Sequence, residues 1–306
     1  MNANIRTLWL AGIMAFALFA PSTPAQRSKF PAHPANAVSA DTSDGRTHGR
    51  TKNDASPAEV VNNCGYQFTT GSGITYLQFC VTDKGNISEF QSPEGIEQLN
   101  PQDIGAYEGY GICDLTNNNT VYYDYAFTSS NNWNPPITVS QTATEVKIER
   151  STSDGLWTLT QMVSLIGGPT PFAKISMTLK NNTNEAKEVL LLRYANPVPD
   201  KPNSSGTYEE NYDGTVNSAW GYTAINSGGN GDPYGLMLQI VGNPTPAKTP
   251  YLSEGMANTS AAPNPCNPFA TFASPITDNF GSIVYVYQFG VNKEQAITVN
   301  NRYMSF

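Results

Sequence analysis

Acidic and aromatic side chains concentrate in two stretches of this chain, residues 89–124 and 200–234. An aromatic ring can pack on the apolar face of a sugar while carboxylates and amides hydrogen-bond to its hydroxyls. Tyr and Trp suit this role because each combines a flat apolar ring with a polar group. The sequence therefore predicts a carbohydrate-binding surface, and its candidate contact residues are Tyr107, Glu108, Tyr110, Tyr208, Glu209, Tyr212, Asp213 and Trp220. The alternative for each of them is packing between sheets.

The same carboxylates allow a catalytic interpretation. A glycoside hydrolase needs two Asp or Glu residues about 5–10 Å apart, one of which holds a proton. The candidates are Glu94, Glu97, Glu108 and Asp114 in the first stretch and Glu209, Glu210 and Asp213 in the second. Sequence spacing alone brings no two of them together, and adjacent residues of a strand point to opposite faces.

Histidine is absent from residue 59 onward, since His33 and His48 both precede it. Imidazole is the usual general base and the commonest transition-metal ligand, so its absence disfavours many catalytic and metal sites. Only three arginines follow residue 59, Arg150, Arg193 and Arg302, and this scarcity argues against an acidic polysaccharide as substrate. The sequence favours a protein without catalytic activity.

No metal cofactor is predicted. Calcium is the metal that the oxygen-rich side chains Asp213, Asn217 and Asp232 would favour, but they form no calcium-loop pattern. Residues 59–306 carry 22 acidic and 11 basic side chains. The basic ones are scattered singly, which argues against a nucleic-acid partner.

The first 58 residues are expected to lie outside the folded domain. Residues 1–25 resemble a secretory signal peptide, with Arg6 before a 13-residue apolar run and small residues at 23–25. Residues 26–58 are rich in Pro, Ala and Ser and are predicted to be a disordered linker. We therefore expect a secreted, periplasmic or cell-surface protein that is not inserted in the membrane once the signal is cleaved.

Export makes the four cysteines candidates for disulfides. Cys64, Cys80, Cys113 and Cys266 allow three pairings. Cys64 and Cys80 flank one expected hairpin, which favours Cys64–Cys80 together with Cys113–Cys266. Their spacing matches no zinc site.

Alternating apolar and polar residues recur through the rest of the chain, as in 146–149, 174–180 and 283–289. Further strand candidates are 74–82, 121–127, 156–166, 188–195, 218–225, 235–241 and 295–300. The apolar run 189–192 indicates a strand buried on both faces. The pattern predicts an all-β fold over 59–306, a large antiparallel β-sandwich with two stacked sheets and about a dozen or more strands.

Two turn sequences, 153–155 and 181–184, predict consecutive antiparallel hairpins. Helix is expected at most as one short turn around Ser253–Asn258.

These observations predict an exported, non-catalytic β-sandwich that binds carbohydrate or another extracellular surface. A glycoside-active enzyme that uses a carboxylate pair is one alternative. A structural or adhesion module of the cell envelope, associating through an exposed sheet edge, is another.

Overall fold

The structure is a computed structural model that describes residues 64–99, 108–126, 128–197, 199, 208–225, 234–242, 246–254, 264–267, 275 and 281–306. These residues all belong to the compact unit Gly49–Phe306. The predicted signal peptide (residues 1–25) and the predicted linker (residues 26–58) lie outside the described residues and remain predictions. No helix in the described ranges is long and apolar enough to cross a membrane.

The described residues form sixteen β-strands, each paired antiparallel with its neighbours. A three-stranded sheet has the order β1-β2-β3 and consists of β1 (Tyr66–Thr70), β2 (Leu77–Val81) and β3 (Ile87–Gln91). A five-stranded sheet has the order β14-β15-β10-β4-β5 and consists of β4 (Glu108–Asp114), β5 (Thr120–Asp124), β10 (Lys187–Ala195), β14 (Ala247–Glu254) and β15 (Gly281–Val291). An eight-stranded sheet has the order β11-β12-β13-β16-β9-β8-β7-β6 and consists of β6 (Ile137–Gln141), β7 (Glu145–Ser151), β8 (Trp157–Ile166), β9 (Phe172–Asn181), β11 (Tyr208–Thr215), β12 (Ser218–Ile225), β13 (Tyr234–Ile240) and β16 (Ala296–Ser305).

The two larger sheets stack and bury alternate residues of their strands between them. On β9 the buried residues alternate with half-buried or exposed ones along almost the whole strand, as the period of two predicts. Ile175 and Leu179 of that strand join Tyr285 and Phe289 of β15 in one core cluster. The predicted all-β antiparallel sandwich is confirmed, and the three-stranded sheet is an addition to the two layers expected.

β10 is buried on both faces, as the run 189–192 predicts. Val189 and Leu191 belong to the core between the sheets. Leu192 belongs to a second cluster on the opposite face of the five-stranded sheet, where it packs with Tyr125 and Tyr194.

One of the two predicted hairpins is confirmed and the other is wrong. The turn at 153–155 joins β7 to β8, which pair antiparallel. The turn at 181–184 joins β9 to β10, but these strands lie in different sheets. Asn181 stabilises the crossing, since its Nδ2 donates to the backbone oxygens of Glu185 (2.7 Å) and Val291 (3.0 Å).

The helical turn expected around Ser253–Asn258 is wrong at its first two residues. Ser253 and Glu254 continue β14 and lie opposite Ser282 and Gly281 of β15. Pairing with a neighbouring strand satisfies their backbone groups and overrides a weak local preference. Residues 255–258 lie outside the described ranges.

Both predicted disulfides are present. Cys64–Cys80 ties the start of the described chain to β2, and Cys113–Cys266 ties β4 to the segment 264–267 across a sequence separation of 153 residues. Disulfides of this kind are typical of proteins exported to an oxidising compartment.

Candidate functional site

Two charged networks lie between the stacked sheets, and both include residues that the sequence nominated for ligand binding. Glu108 and Arg193 form an ion pair in which both side chains are 0% exposed. The backbone N–H of Ile87 donates to Glu108 Oε2 (2.6 Å), and Tyr303 Oη donates to Oε1 (3.0 Å). Arg193 also donates to Gln161 Oε1 at 2.7 Å. Burial raises the pKa of the Glu108 carboxyl, while the guanidinium opposes that rise.

The second network is centred on Arg150. Its Nη1 donates to Tyr110 Oη (2.7 Å) and to Asp124 Oδ2 (2.8 Å). Tyr110 Oη in turn donates to the backbone oxygen of Lys84 at 2.8 Å. Buried charges are tolerated when they are paired and hydrogen-bonded in this way. Glu108 and Tyr110 therefore join β4 to the other layers of the fold, and a ligand would reach them only if the sandwich opened.

The outward face of the eight-stranded sheet carries a different cluster, formed where β12, β13, β16 and β9 lie side by side. Leu236 and Leu238 of β13 join the core between the sheets. Met237 between them must point to the opposite face. There it belongs to a separate cluster, which we name the outer platform and which consists of Trp220, Met237 and Met304 with the half-buried rings of Phe172, Tyr222 and Phe306.

The strand register explains how residues distant in sequence meet on this face. Asp213 of β11 lies opposite Trp220 of β12, and Trp220 lies opposite Met237. Met237 in turn lies opposite Met304 of β16. Since neighbouring strands are about 4.8 Å apart, one row of side chains crosses four strands within about 15 Å.

A glycine and an arginine position the rings at the margin of the outer platform. A Cβ on Gly235 would lie 2.5 Å from Cζ of Phe306, so the absence of a side chain allows that ring to pack there. The guanidinium of Arg302 lies 5.0 Å from the centroid of the Phe172 ring. Its Nε donates to Gln239 Oε1 at 2.7 Å.

Of the eight nominated contact residues, the structure brings Asp213 and Trp220 together on the platform side. Trp220 is 7% exposed and Asp213 is half-buried, with its Oδ1 accepting from the Gly214 N–H at 2.7 Å. Tyr212, one residue earlier, points to the opposite face and donates to the backbone oxygen of Pro197 at 2.9 Å. It is buried in the main core.

The remaining nominated residues are Tyr107, Tyr208 and Glu209. Tyr107 lies outside the described residues. The backbone of Tyr208 and Glu209 opens β11 opposite Ile225 and Ala224. A role in ligand binding stays a prediction for all three, as it does for the other five.

Five members of the outer platform were not among the nominated contact residues: Phe172, Tyr222, Met237, Met304 and Phe306. A signal for them exists, because Met304 and Phe306 share a strand face with Arg302 by the period of two. The pattern does not show that this face adjoins Trp220, which is more than eighty residues earlier in the chain.

Two of the candidate carboxylates accept hydrogen bonds from separate parts of the fold. Asp114 accepts from Trp157 Nε1 at 3.0 Å, and Glu94 accepts from the Gly73 N–H at 2.8 Å. Glu108 and Asp114 lie six residues apart on one strand, which corresponds to about 20 Å.

The carboxyl of Glu97 has a raised pKa, and the negative charge of Glu89 contributes to the rise. Its Oε1 accepts from the backbone N–H groups of Phe90 (2.8 Å), Leu99 (2.9 Å) and Gln98 (3.1 Å). Burial raises the pKa of Glu97 to about 7, with a smaller contribution from the negative charge of Glu89, although the three N–H donors act against the rise. This carboxyl is partly protonated at neutral pH.

Within the described part of the chain, no group of three or more His, Cys, Asp or Glu side chains is arranged to hold a metal. Of the three residues considered for calcium, Asp213 and Asn217 lie four positions apart at the end of β11 and the following turn. Asp232 is outside the described residues.

No family model matches the chain, and no curated protein matches it. Solved structures with a similar course of the chain exist. One is a candidate aldose 1-epimerase from Escherichia coli K12, with a TM-score of 0.44 and 10% identity over 79% of this chain and 99% of that chain. Another is a galactose mutarotase related enzyme from Lactobacillus acidophilus, with a TM-score of 0.42 and 8% identity over 79% of this chain and 97% of that chain.

A third similar structure is a family GH92 alpha-mannosidase from Bacteroides thetaiotaomicron. Its TM-score is 0.32 and its identity 9%, over 80% of this chain and 32% of that chain. Likeness at this level does not transfer an activity, since one fold supports many functions.

Proposed function

We propose that the chain is an exported, non-catalytic protein that binds carbohydrate on the outer platform. The observation that carries this proposal is the cluster of half-buried aromatic rings on the outward face of a sheet, beside the polar side chains of Gln239 and Arg302. Apolar rings next to hydrogen-bonding groups are the combination that a sugar requires.

The scaffold suits such a surface. The platform strands are paired along their length, and a site on strands is held more rigidly than one on loops. Rigid rings lose little conformational entropy when a ligand stacks on them, so more of the contact energy remains as affinity.

Binding without catalysis is supported by the engagement of the carboxylates. Glu108 and Asp114 are buried, and each has partners in the core. A carboxylate held in this way positions other protein groups and does not contact a ligand on the outer platform.

Isothermal titration calorimetry of the full chain against polysaccharides chosen from a glycan array tests the proposal. Tyr222→Ala and Phe172→Ala remove half-buried rings, and each is expected to weaken binding about fivefold, which corresponds to about 1 kcal/mol. Thr178→Ala is the matched control, because Thr178 lies on the same face of β9 but six residues from Phe172. Binding that both ring variants leave unchanged would exclude the outer platform, and an array without any bound glycan would refute the function.

A glycoside-active enzyme is the second candidate, supported by the carboxyl of Glu97. A general acid must hold a proton near neutral pH and have a second carboxylate close by, and Glu97 with Glu89 offers both properties. Release of reducing ends from oligosaccharides, followed between pH 5 and 8, tests it. Activity that declines as the pH passes 7 and is lost in Glu97→Gln would establish catalysis, and no release from any substrate at any pH would remove this candidate.

A further inference from the structure

Arg302 is a half-buried cation at the margin of the outer platform. Its guanidinium lies over Phe172, and its Nε donates to the neutral side chain of Gln239. The ion pairs found among the described residues are Arg150 with Asp124 and Arg193 with Glu108, so Arg302 takes part in none of them. The other two arginines after residue 59 are thus charge-compensated inside the fold, whereas Arg302 forms no ion pair with any acidic side chain that the structure describes.

A second cation lies beside it. Lys174 of β9 is the direct cross-strand partner of Arg302 on β16. Both are half-buried, and residues that lie directly opposite on an antiparallel pair have Cβ atoms about 5 Å apart. Like charges directly opposite each other are in general unfavourable, and an anion bound beside the pair would be attracted by both side chains.

No acidic side chain is adjacent to this pair in the described register. Along the same row, Ser164 of β8 lies opposite Lys174, and Glu145 of β7 lies opposite Ser164. Glu145 is therefore two strands from Lys174, about 10 Å away, and it already accepts a hydrogen bond from Ser164 Oγ at 2.9 Å. Partial burial lowers the pKa of Arg302, which agrees with a cation that has lost hydration and gained no counter-charge.

The position of these cations is unusual for this protein, since the chain as a whole carries a formal charge of −8. Two adjacent basic groups on such a chain form a local positive site at the edge of an aromatic surface. A guanidinium recognises carboxylates and sulfates through paired hydrogen bonds. Phe172 beneath it holds the planar group in place, and the terminal N–H groups of Arg302 have no hydrogen-bond partner among the described residues.

We propose that the ligand of the outer platform is an acidic sugar, whose ring packs on the aromatic cluster and whose anionic group pairs with Arg302 and Lys174. The proposal rests on the proposed carbohydrate-binding function and specifies its ligand class. It reverses the expectation drawn from the small number of arginines, because the placement of one arginine matters more here than the count. The anionic group is a carboxylate or a sulfate ester, since both present oxygens to a guanidinium in the same way.

Paired polysaccharides that differ only in the anionic group test this ligand class. One pair is pectin before and after removal of its methyl esters, which exposes carboxylates on an unchanged backbone. The other is a sulfated galactan before and after desulfation. Calorimetry with the full chain is expected to show at least tenfold tighter binding of one acidic form than of its neutral counterpart, with an affinity that falls as salt is added.

Charge-removing variants locate the effect. Arg302→Gln and Lys174→Gln are each expected to abolish most of the preference for the acidic form, whereas Arg302→Lys keeps the charge and retains part of it. Lys180→Gln is the matched control, because it removes the same charge from the same strand and face, about 20 Å from Lys174. If the midpoint of urea denaturation of every variant equals that of the unsubstituted protein, a change in binding does not reflect unfolding.

The possible outcomes distinguish a failure of the acidic specificity from a failure of carbohydrate binding itself. Neutral and acidic forms bound equally well on an intact platform would overturn the acidic specificity and leave carbohydrate binding in place. Acidic preference reduced as much by Lys180→Gln as by Arg302→Gln would also overturn it, because the attraction would then be diffuse. Absence of binding to every polysaccharide in both pairs and across the array would overturn both.

Discussion

The ion pair between Glu108 and Arg193 is expected to be the most sensitive charged contact in the fold. Both side chains are fully buried, and Glu108 also accepts from the Ile87 N–H and from Tyr303 Oη. Glu108→Gln retains an oxygen for those donors but removes the negative charge. Arg193 would then be a buried cation without a counter-charge, and removal of one partner of a buried pair costs about 3–5 kcal/mol.

A double-mutant cycle measures this cost by urea denaturation with the disulfides intact. Arg193→Met alone leaves the Glu108 carboxylate buried without a counter-charge. Glu108→Gln together with Arg193→Met leaves no charge in the site. We expect the double variant to be about 2–3 kcal/mol more stable than the sum of the two single effects predicts. Glu188→Gln is the control, because Glu188 is exposed on the same strand as Arg193 and should change the stability by less than about 0.5 kcal/mol.

A loss below about 1 kcal/mol in Glu108→Gln, or strictly additive effects in the cycle, would refute the reasoning. Either result would mean that the two charges are compensated by solvent or by other groups, and that the core at this point is not closed.

Three further predictions concern other parts of the fold. Replacing Cys113 and Cys266 by Ser should lower the free energy of unfolding by about 5 kcal/mol, because their disulfide closes a long loop, whereas replacing Cys64 and Cys80 should lower it by about 3 kcal/mol. Urea denaturation of the two double variants measures both losses, and equal losses would contradict the loop-entropy argument. Because the folded pKa of Glu97 is about 7 and its unfolded pKa is near 4.3, the folded state binds more protons between those values. Stability should therefore fall as the pH rises from 5 to 7, with a smaller slope in Glu97→Gln; identical slopes would exclude the raised pKa. Gly109→Ala places a Cβ 2.0 Å from a backbone oxygen of β5. The free energy of unfolding should therefore fall by about 3 kcal/mol or more. An unchanged midpoint of thermal unfolding would refute the close approach.

Much of the architecture follows from local patterns. The alternation in 174–180 and 283–289 predicts strands that the structure contains as parts of β9 and β15. The disulfide pairing also followed from local reasoning, because one pair closes a hairpin and the other two cysteines have no remaining alternative. What the pattern missed is the crossing at 181–184, since a turn sequence does not reveal which sheet the next strand joins.

The candidate site shows the same division at the level of single residues. Asp213 and Trp220 could be singled out from the composition of their segment. The alternation along a strand also predicts that adjacent residues point to opposite faces. Which face is covered is a different question, and only the structure shows that Glu108 and Tyr110 are buried between the sheets.

Composition and periodicity by themselves determined that this chain forms antiparallel strands with crosslinks suited to export. The tertiary structure alone decided that Arg302 lies beside Lys174 and over the ring of Phe172, while Arg150 and Arg193 are paired in the interior. The physical reason is that alternation is a property of one strand, encoded by adjacent residues. A shared surface depends on strand order and register, which are set by packing between segments more than eighty residues apart.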